Sequence, residues 1–455
     1  MQPNRSHSRV VVPGAVHLAA RVASLIAALA LVGCATHADR LREVRTQFYE
    51  GRLETAAATI DRHLKRLGRQ EDDVLKLDRA IIDLAAGRPR DAERMLREVR
   101  DRFDFLEQKD VAEMALSAAT DDTQLSYSGE DYEKVLIRVF LSLSNLMHDG
   151  GDAAAYALQV SEKQQAIIQS GGSCPDNNPK LAYKMVALGP YLHAALAEEN
   201  PMENDLTRRC REVVCSWQPG FRDGVADLHR AMDGRHSAPG CGVLYVFALV
   251  GKGPHKEEVA EVPTQMAMLI ADRIISHNSK YNLTPTLAPV KVPAIVAAAN
   301  RVKSVQVLAG GASVRTATIT DVTAMAIAQH EAVYPQIIGR AVARRAVKKA
   351  ALYAAKDAMD VNPWVALAVD AGGVVWEATE SADTRCWGLL PDEIQVLRLE
   401  LPVGEQRISL EACDSRGPMG PRYEHTVAIH DGRNTYLLAN FPDGQLVGQI
   451  LSSSR

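Results

Sequence analysis

The sequence predicts an α+β protein in two parts. An all-helical, tetratricopeptide-like repeat array is expected over residues 34–235, and a mixed α+β domain with a mainly antiparallel sheet over residues 240–455. Two observations lead to this prediction: a short motif recurs in the first half, and the hydrophobic period changes from helical to strand-like near Gly240. With 47% hydrophobic and 24% charged residues, the composition excludes collagen-like, wholly disordered and polytopic membrane proteins.

The N-terminus has the pattern of a secretory signal peptide. Arginines precede an apolar run from Val22 to Leu31, which is much shorter than the roughly 20 residues that a membrane span needs. Residues 31–34 end in Gly33 and Cys34 and resemble a bacterial lipobox. That resemblance implies cleavage after Gly33 and acylation of the Cys34 thiol, so residues 1–33 are expected to be a lipoprotein signal peptide.

Acylation of Cys34 predicts a protein that is anchored to a membrane without spanning it, because two or three acyl chains hold a protein firmly on a bilayer. Ala35 follows the cysteine, where an Asp would indicate retention in the inner membrane. The expected location is therefore the periplasmic leaflet of the outer membrane, with its lipid as the first partner. In the alternative interpretation, Cys34 is only a small residue at the end of a soluble protein's signal.

The remaining cysteines are interpreted as disulfide candidates, because an exported chain folds where disulfides persist. At least one bridge is expected among the four that lie between residues 174 and 241, and the last two could form a second. No pair has the spacing of a zinc site, and no metal or cofactor is expected. The six candidates are Cys174, Cys210, Cys215, Cys241, Cys386 and Cys413.

The helical array is predicted from a glycine followed five residues later by an alanine. The glycine permits the positive φ of a turn, and the alanine lets the next helix pack closely. The copies contain Gly51 and Ala56, Gly87 and Ala92, and Gly150 and Ala155. The first two copies are 36 residues apart, close to the roughly 34 of tetratricopeptide repeats. Further helices are predicted at about 131–148, 152–168, 179–199 and 205–215.

The concave surface of such an array binds peptides or protein elements. Interleaved charges between His37 and Asp110 indicate solvated helix faces, and the net charge of −4 disfavours a nucleic-acid partner. The segment 127–133 interrupts the repeat spacing. It is either a loop that contacts a partner or a helix start with Tyr132 in the core. The candidate interaction residues here are Tyr127, Glu130, Asp131 and Tyr132.

The second half is predicted to contain seven strands. They are Val243–Val250, Val302–Leu308, Val314–Thr320, Ile394–Leu401, Arg407–Ala412, His425–His430 and Thr435–Asn440. Residues 431–434 are typical of a hairpin turn between the last two. Helices are predicted at about 262–278, 322–358 and 362–378. The basic face of residues 336–356 could contact anionic lipid, but packing of its small apolar face on the sheet is favoured.

No catalytic constellation is found. Gly251, Lys252 and Gly253 follow a strand but lack the remaining residues of a phosphate-binding loop, and no G-x-S-x-G or H-E-x-x-H motif is present. A non-enzymatic scaffold of the cell envelope with an unknown protein partner is therefore favoured. The alternatives are an envelope hydrolase or transferase acting on cell-wall or lipid material, and an accessory protein of a secretion or polysaccharide-export system.

Three segments resemble a family of uncharacterised bacterial outer-membrane lipoproteins with helical repeats in the N-terminal half. They are 127–133 (YSGEDYE), 251–256 (GKGPHK) and 382–391 (ADTRCWGLLP). The resemblance implies the location and the helical architecture, and it brings no catalytic residues. In that family the residue after the arginine is commonly Ser, from which Cys386 departs.

The third segment carries Asp383, Arg385 and Trp387 at period 2. Asp383 can pair with Arg385, or Arg385 can stack on Trp387. A structural clasp between helix and sheet is favoured over a recognition patch, although Arg and Trp are common interface anchors. These three residues, with Gly251, Gly253 and Lys256 of the second segment, complete the candidate interaction residues.

Overall fold

The computed structural model describes residues 36–66, 70–113, 126–172, 178–262, 289–359 and 381–453. Several predictions fall outside these residues. They concern the signal peptide with its cleavage site at Gly33 and Cys34, the helix at 362–378, nearly all of the helix at 262–278, and Cys174.

The first part of the chain is helical, as predicted. Its α-helices are α1 (His37–Tyr49), α2 (Leu53–Arg66), α3 (Asp72–Ala85), α4 (Pro89–Glu113), α5 (Asp131–Leu146), α6 (Ala153–Ser170), α7 (Leu188–Ala197), α8 (Asn204–Trp217) and α9 (Gly224–Met232). The single helix predicted at 179–199 is wrong, because a short 3₁₀ turn at Pro179–Ala182 is separated from α7. Pro190 lies in the first turn of α7, where its ring prevents the helix from continuing toward the N-terminus.

The repeated glycines occupy the predicted turns. Gly51, Gly87 and Gly150 have φ of 75°, 81° and 68° and each separates two antiparallel helices. Ala56 and Ala92 are buried at these turns, but Ala155 is exposed. The third connection has six residues where the first two have three, and one more residue separates its glycine from the next helix. Ala155 is therefore the third residue of its helix, whereas Ala56 and Ala92 are each the fourth, and one position corresponds to about 100° around the helix. The packing role predicted for Ala155 is therefore wrong.

The second part contains two main sheets and a separate two-stranded pair. The strands are β1 (Cys241–Val250), β2 (His255–Glu261), β3 (Val290–Val296), β4 (Ser304–Ala309), β5 (Ala312–Arg315), β6 (Ala317–Asp321), β7 (Glu393–Pro402), β8 (Gly404–Cys413), β9 (Pro418–Ile429), β10 (Asn434–Phe441) and β11 (Leu451–Ser452). The five-stranded sheet has the order β11-β10-β1-β7-β6, and the four-stranded sheet has the order β5-β4-β8-β9. All described strand pairs are antiparallel except β1 with β10.

Two strand predictions need correction. The strand predicted at Val314–Thr320 is two strands, because the chain passes at Thr316 from the four-stranded sheet into the five-stranded one. The hairpin predicted around residues 431–434 is wrong, since β9 pairs with β8 while β10 pairs with β1 and β11. Every residue of β10 is buried, so this strand requires a central position, whereas half or more of β9 is exposed.

The five-stranded sheet is the central layer of the molecule. On β1, Leu244 and Val246 face the four-stranded sheet, whereas Tyr245 and Phe247 belong to the apolar core that the sheet shares with the helices. This alternation follows from the period of two in a strand with both faces covered. The helical part and the sheet are therefore built on one continuous apolar core.

A buried ionic network also joins the helices to the central sheet. The Glu198 carboxylate accepts hydrogen bonds from the Tyr245 hydroxyl at 2.5 Å and from the Arg211 guanidinium at 3.1 Å. Arg398 on β7 approaches the same carboxylate at 3.4 Å, and Arg211 lies 4.4 Å from the ring centroid of Tyr191. Arg211 is 1% exposed, so this network has a fixed geometry in which each charge depends on the others.

The long helix α10 (Val322–Met359) covers the β2–β3 pair. Val342 and Ala346 pack against Val290 and Val292, and the Arg345 guanidinium donates to the Pro289 carbonyl at 3.1 Å. The predicted packing of the basic helix on a sheet is confirmed, although on the pair β2–β3, which the sequence analysis did not predict. In the described part of the chain, no helix is long and apolar enough to cross a membrane.

The five described cysteines are free thiols, so the proposed Cys386–Cys413 bridge is wrong, as is any bridge among Cys210, Cys215 and Cys241. Cys210 and Cys215 lie about 140° apart around α8, and Cys241 begins a strand of the sheet. Cys386 belongs to the segment between helices and sheet, and Cys413 ends β8 in the other sheet. Cysteines held in different layers cannot meet at the short Cα separation that a disulfide requires.

We expect all five described cysteines to be alkylated without prior reduction. The mature protein would be purified without reductant, unfolded in denaturant with iodoacetamide, and mapped by mass spectrometry. Unfolding is needed because Cys386 and Cys413 are buried. A sample reduced before alkylation is the control. A second alkylation step that labels any of the five only after reduction would contradict the structure.

Candidate functional site

The three segments 127–133, 251–256 and 382–391 meet in space. They join the start of α5, the β1–β2 connection and the segment 381–391 that leads into β7. We call this junction the clasp. It consists of Tyr127, Glu130, Glu133, Lys256, Asp383, Arg385, Cys386 and Trp387, most of which are buried.

Arg385 is the charged centre of the clasp. Its guanidinium forms a two-pronged ion pair with the Asp383 carboxylate at 2.9 and 2.7 Å and donates to the Gln70 carbonyl at 3.0 Å. It lies 5.3 Å from the ring centroid of Tyr127, so its aromatic partner is Tyr127 and not Trp387. Burial raises the pKa of Asp383, but Arg385 outweighs that effect, and the net pKa is below the usual value.

Glu133 is a fully buried carboxylate that receives donors from two parts of the chain. The hydroxyl of Tyr127 donates to it at 2.6 Å, and the backbone N–H of Trp387 donates at 2.7 Å. Burial and the nearby Glu130 carboxylate raise the pKa of Glu133. The Trp387 ring is fully buried and packs 5.3 Å from the ring centroid of Phe140 on α5.

The start of α5 explains the acidic residues of segment 127–133. Glu130 and Glu133 form a reciprocal capping box, and α5 begins at Asp131. Tyr132 is buried, so the helix-start interpretation of this segment is confirmed. Asp131 receives the Tyr183 hydroxyl at 3.1 Å and the Lys180 ammonium at 2.9 Å. Its carboxylate therefore ties α5 to the 3₁₀ turn.

The β1–β2 connection enters the clasp through its glycines and Lys256. The backbone N–H of Gly253 donates to the Leu390 carbonyl at 2.9 Å, and a Cβ on Gly253 would lie 2.3 Å from that oxygen. Gly251, at φ of 75°, donates to Phe441 at the end of β10. The buried Lys256 ammonium pairs with Glu130, and its backbone N–H lies 3.4 Å from the Cys386 sulfur.

Asp78 on α3 is a second buried carboxylate beneath segment 381–391, and sequence analysis did not single it out. One of its oxygens accepts the Leu389 N–H at 2.9 Å, while the other has no hydrogen-bond partner. Burial raises the pKa of Asp78 to about 8. Because their polar groups are buried and bond chiefly to other parts of the protein, Asp78 and the clasp hold the helices on the sheet and present little to a ligand.

An open concave feature lies on the helical array. It is a groove of about 670 Å³ with α4 and α6 as its walls and α5 as its floor. We call it the α4–α6 groove. Its lining is formed by Arg100, Asp101, Asp104, Glu107, Gln108, Arg138, Gln159, Glu162, Lys163 and Ala166.

A network of charges covers the floor of the groove. The Arg138 guanidinium donates to both oxygens of Asp104, at 2.9 and 2.7 Å. The Lys163 ammonium bridges the two helices by donating to Asp104 at 2.8 Å and to Glu107 at 2.5 Å. Lys134 approaches Glu107 at 2.9 Å from beneath. Ion pairs from α6 and α5 to α4 therefore join the two walls to each other and to the floor.

Sequence analysis missed the groove residues although it predicted a concave surface. On α4 the lining residues lie three and four apart, at positions 100, 101, 104, 107 and 108, and so share one helix face. The same spacing links Gln159, Glu162, Lys163 and Ala166 on α6. The same spacing is found on an ordinary solvated helix face. Only the packing of α5 between α4 and α6 distinguishes the walls of a groove from two such faces.

Neither a metal site nor a similarity to known proteins identifies the function of the chain. Within the described ranges, no group of three His, Cys, Asp or Glu side chains could hold a metal ion. No protein-family model, curated protein or solved structure matches the chain. The function is therefore argued from the geometry of the groove and of the clasp.

We expect the stability of the wild-type protein to fall with rising pH relative to an Asp78→Asn variant. The unfolded chain ionises this carboxyl near its usual pKa, about 4, whereas the folded protein keeps the proton until about pH 8. Between those values stability is lost as pH rises, by at most about 1.4 kcal/mol per pH unit.

The measurement is urea unfolding of both proteins at several pH values from 5 to about 8. The half-exposed Asp91 on α4 provides the matched control, as Asp91→Asn, which should keep the wild-type pH slope. Equal slopes for wild type and Asp78→Asn would show that Asp78 does not hold its proton in the folded state.

Proposed function

We propose that this chain is a lipid-anchored scaffold of the bacterial cell envelope that holds a segment of a partner protein in the α4–α6 groove. The observation that carries the proposal is the groove itself, an open volume of about 670 Å³ whose walls and floor come from three consecutive helices. Concave surfaces of stacked helical hairpins bind extended or helical protein segments. The proposal requires no catalysis.

The geometry of the first two hairpins supports tetratricopeptide-like units. The N–H of Gly51 and that of Gly87 each donate to the carbonyl three residues earlier. The N–H groups of Arg52 and Arg88 each donate to the carbonyl five residues earlier. Two turns 36 residues apart thus repeat the same hydrogen bonds, as expected for copies of one structural unit.

The scaffold proposal is favoured over an enzyme because of where the acidic groups lie. A catalytic acid must reach a substrate atom within hydrogen-bond distance. Asp78 and Glu133 have raised pKa values, caused first by burial, but both lie beneath segment 381–391. Asp383 is engaged by Arg385 within the clasp. These groups are better explained as the joint between helices and sheet.

The lipid anchor is supported by the spacing between Cys34 and the folded domain. Thr36 caps α1 in a reciprocal box with Asp39, so the helical domain begins two residues after the cysteine. Two extended residues span at most about 7 Å. Acylation of Cys34 would therefore place the start of α1 beside the bilayer.

We expect a Cys34→Ser variant to lose membrane attachment almost completely. Each buried methylene of an acyl chain contributes about 0.8 kcal/mol, and the variant has no thiol to acylate. Fractionation of cells after a carbonate wash, with labelled palmitate as the second readout, provides the measurement. Cys241→Ser is the matched control and should remain in the membrane fraction. A Cys34→Ser protein that still sediments with washed membranes would overturn the anchor.

The groove is tested by photo-crosslinking in intact cells, with a photoreactive residue in place of Gln159. We expect a specific adduct with an envelope protein. Ala166→Trp fills the groove from the α6 wall and should reduce the adduct by roughly tenfold, because it excludes the segment sterically. Ala155→Trp adds the same ring to an exposed site on the same helix that does not line the groove, and it is the matched control.

The pattern of adducts decides the proposal. An adduct that survives Ala166→Trp at the wild-type level, or one that is lost equally in Ala155→Trp, would mean that the groove does not hold the partner. The absence of any adduct at position 159, with the protein present at normal levels in the envelope, would also count against the scaffold.

A further inference from the structure

We infer that the segment held in the α4–α6 groove is cationic, with Lys or Arg side chains set among apolar residues. This inference rests on the proposed function, because it specifies the chemistry of the partner that the same groove takes. The positive and negative groups of the groove lie at different depths, and this difference favours a cationic ligand.

The cations of the groove are deeper than the carboxylates. The side chains of Lys134, Arg138 and Lys163 are 9%, 7% and 11% exposed, whereas those of Asp104 and Glu107 are 35% and 33% exposed. A molecule that enters the groove therefore meets carboxylate oxygens before it meets ammonium or guanidinium groups.

The buried cations are also fully engaged. Arg138 uses its guanidinium on both oxygens of Asp104 and on the Lys134 carbonyl, the latter at 2.8 Å. An anionic ligand would have to displace Asp104 or Glu107 from these cations, and a displaced carboxylate would itself lose its buried partner. A cationic ligand can bind without displacing either carboxylate, since an ionised carboxylate has about four lone-pair sites and can accept further donors. The three cations that would repel such a ligand lie deeper than these carboxylates.

The carboxylates are in the charged form that such a ligand needs. Burial raises the pKa of Asp104, but Lys163 and Arg138 outweigh it and the net pKa lies below the usual value. The same balance holds for Glu107, where Lys134 and Lys163 oppose the effect of burial. Both groups are therefore negatively charged at neutral pH.

The rim of the groove adds negative charge and apolar contact. Glu162 on α6 is exposed, and Asp101 on α4 is 66% exposed but pairs with the Arg100 guanidinium at 2.8 Å, so the three groups together carry one net negative charge. Phe105 on α4 and Leu158 on α6 are 48% and 46% exposed, next in helical spacing to the lining residues. Large apolar side chains at such positions fit the apolar residues of a protein segment better than they fit a free polyamine or a metal ion.

The test combines the position-159 crosslink with charge reversal at the rim. The crosslinked segment is identified by mass spectrometry, synthesised as a labelled peptide, and titrated against the full-length protein by fluorescence anisotropy at low and moderate salt. Glu162→Lys is the test variant because Glu162 is exposed and can be replaced without disturbing the floor. Glu405→Lys, at an exposed position on β8, carries the same charge change away from the groove and is the matched control.

We expect the captured segment to contain at least two Lys or Arg residues close to the crosslink. Glu162→Lys should weaken its binding by about fivefold or more, with Glu405→Lys unchanged, and added salt should weaken the wild-type complex. A captured segment that is acidic or uncharged, or whose binding is strengthened or left unchanged by Glu162→Lys, would overturn the inference while leaving the scaffold function intact. Failure to obtain a groove-dependent crosslink would instead refute the proposed function.

Discussion

The architecture depends on the need to satisfy one buried carboxylate, that of Glu133. It lies at the head of α5 inside the apolar core, where an unpaired charge would be strongly destabilising. Its donors come from Tyr127 before the helix and from the backbone of Trp387, 254 residues further along the chain. The N–H of Glu130 and the hydroxyl of Tyr132 also donate to it from the start of α5. A slip of the helices against segment 381–391 would therefore remove the Trp387 donor from a buried carboxylate, which favours the observed arrangement of helices and sheet.

Two joints of this kind fix the helical array on the central sheet. The clasp and Asp78 form one joint, and the network around Glu198, Arg211 and Tyr245 forms the other. Both are buried and both combine hydrogen bonds with ionic contacts, which favours specificity of geometry more than net stability. The α4–α6 groove is thus carried on helices whose neighbours are held rigidly, as a preformed binding surface requires.

Local signals predicted much of the fold. Sequence patterns within each segment predict the turns at Gly51 and Gly87, most of the helices and the principal strands. In these elements the tertiary packing agrees with the local preference of the chain. The β2–β3 pair could not be predicted because the β2 sequence HKEEVAE is highly charged and lacks the alternation of apolar and polar residues that predicts a strand. The one residue of β2 that is buried is Lys256, which is itself charged. The hairpin at residues 431–434 was mispredicted because a turn sequence specifies a reversal of direction but not the sheet that receives the next strand.

The candidate site shows the same division between local and tertiary information. The segments 127–133, 251–256 and 382–391 meet in the folded protein, whereas the sequence presents them only as separate motifs. Their polar groups bond to each other inside the protein. The groove could not be found from sequence, since Asp104, Lys163 and their neighbours are indistinguishable from a solvated helix face until α5 separates the walls. Charged residues become informative only when their depth and partners are known.

The order of the helices places the α4–α6 groove near the same end of the array as the start of α1. His37 at the start of α1 contacts Glu71 at the start of α3, and Gln70 beside it accepts the N–H of Tyr127 just ahead of α5. Lys134 in the first turn of α5 then meets Glu107 in the groove. The entrance of the groove thus lies toward the end of the array from which an acylated chain would hang. If Cys34 is acylated and the groove holds a partner segment, as proposed, that segment would lie close to the lipid surface.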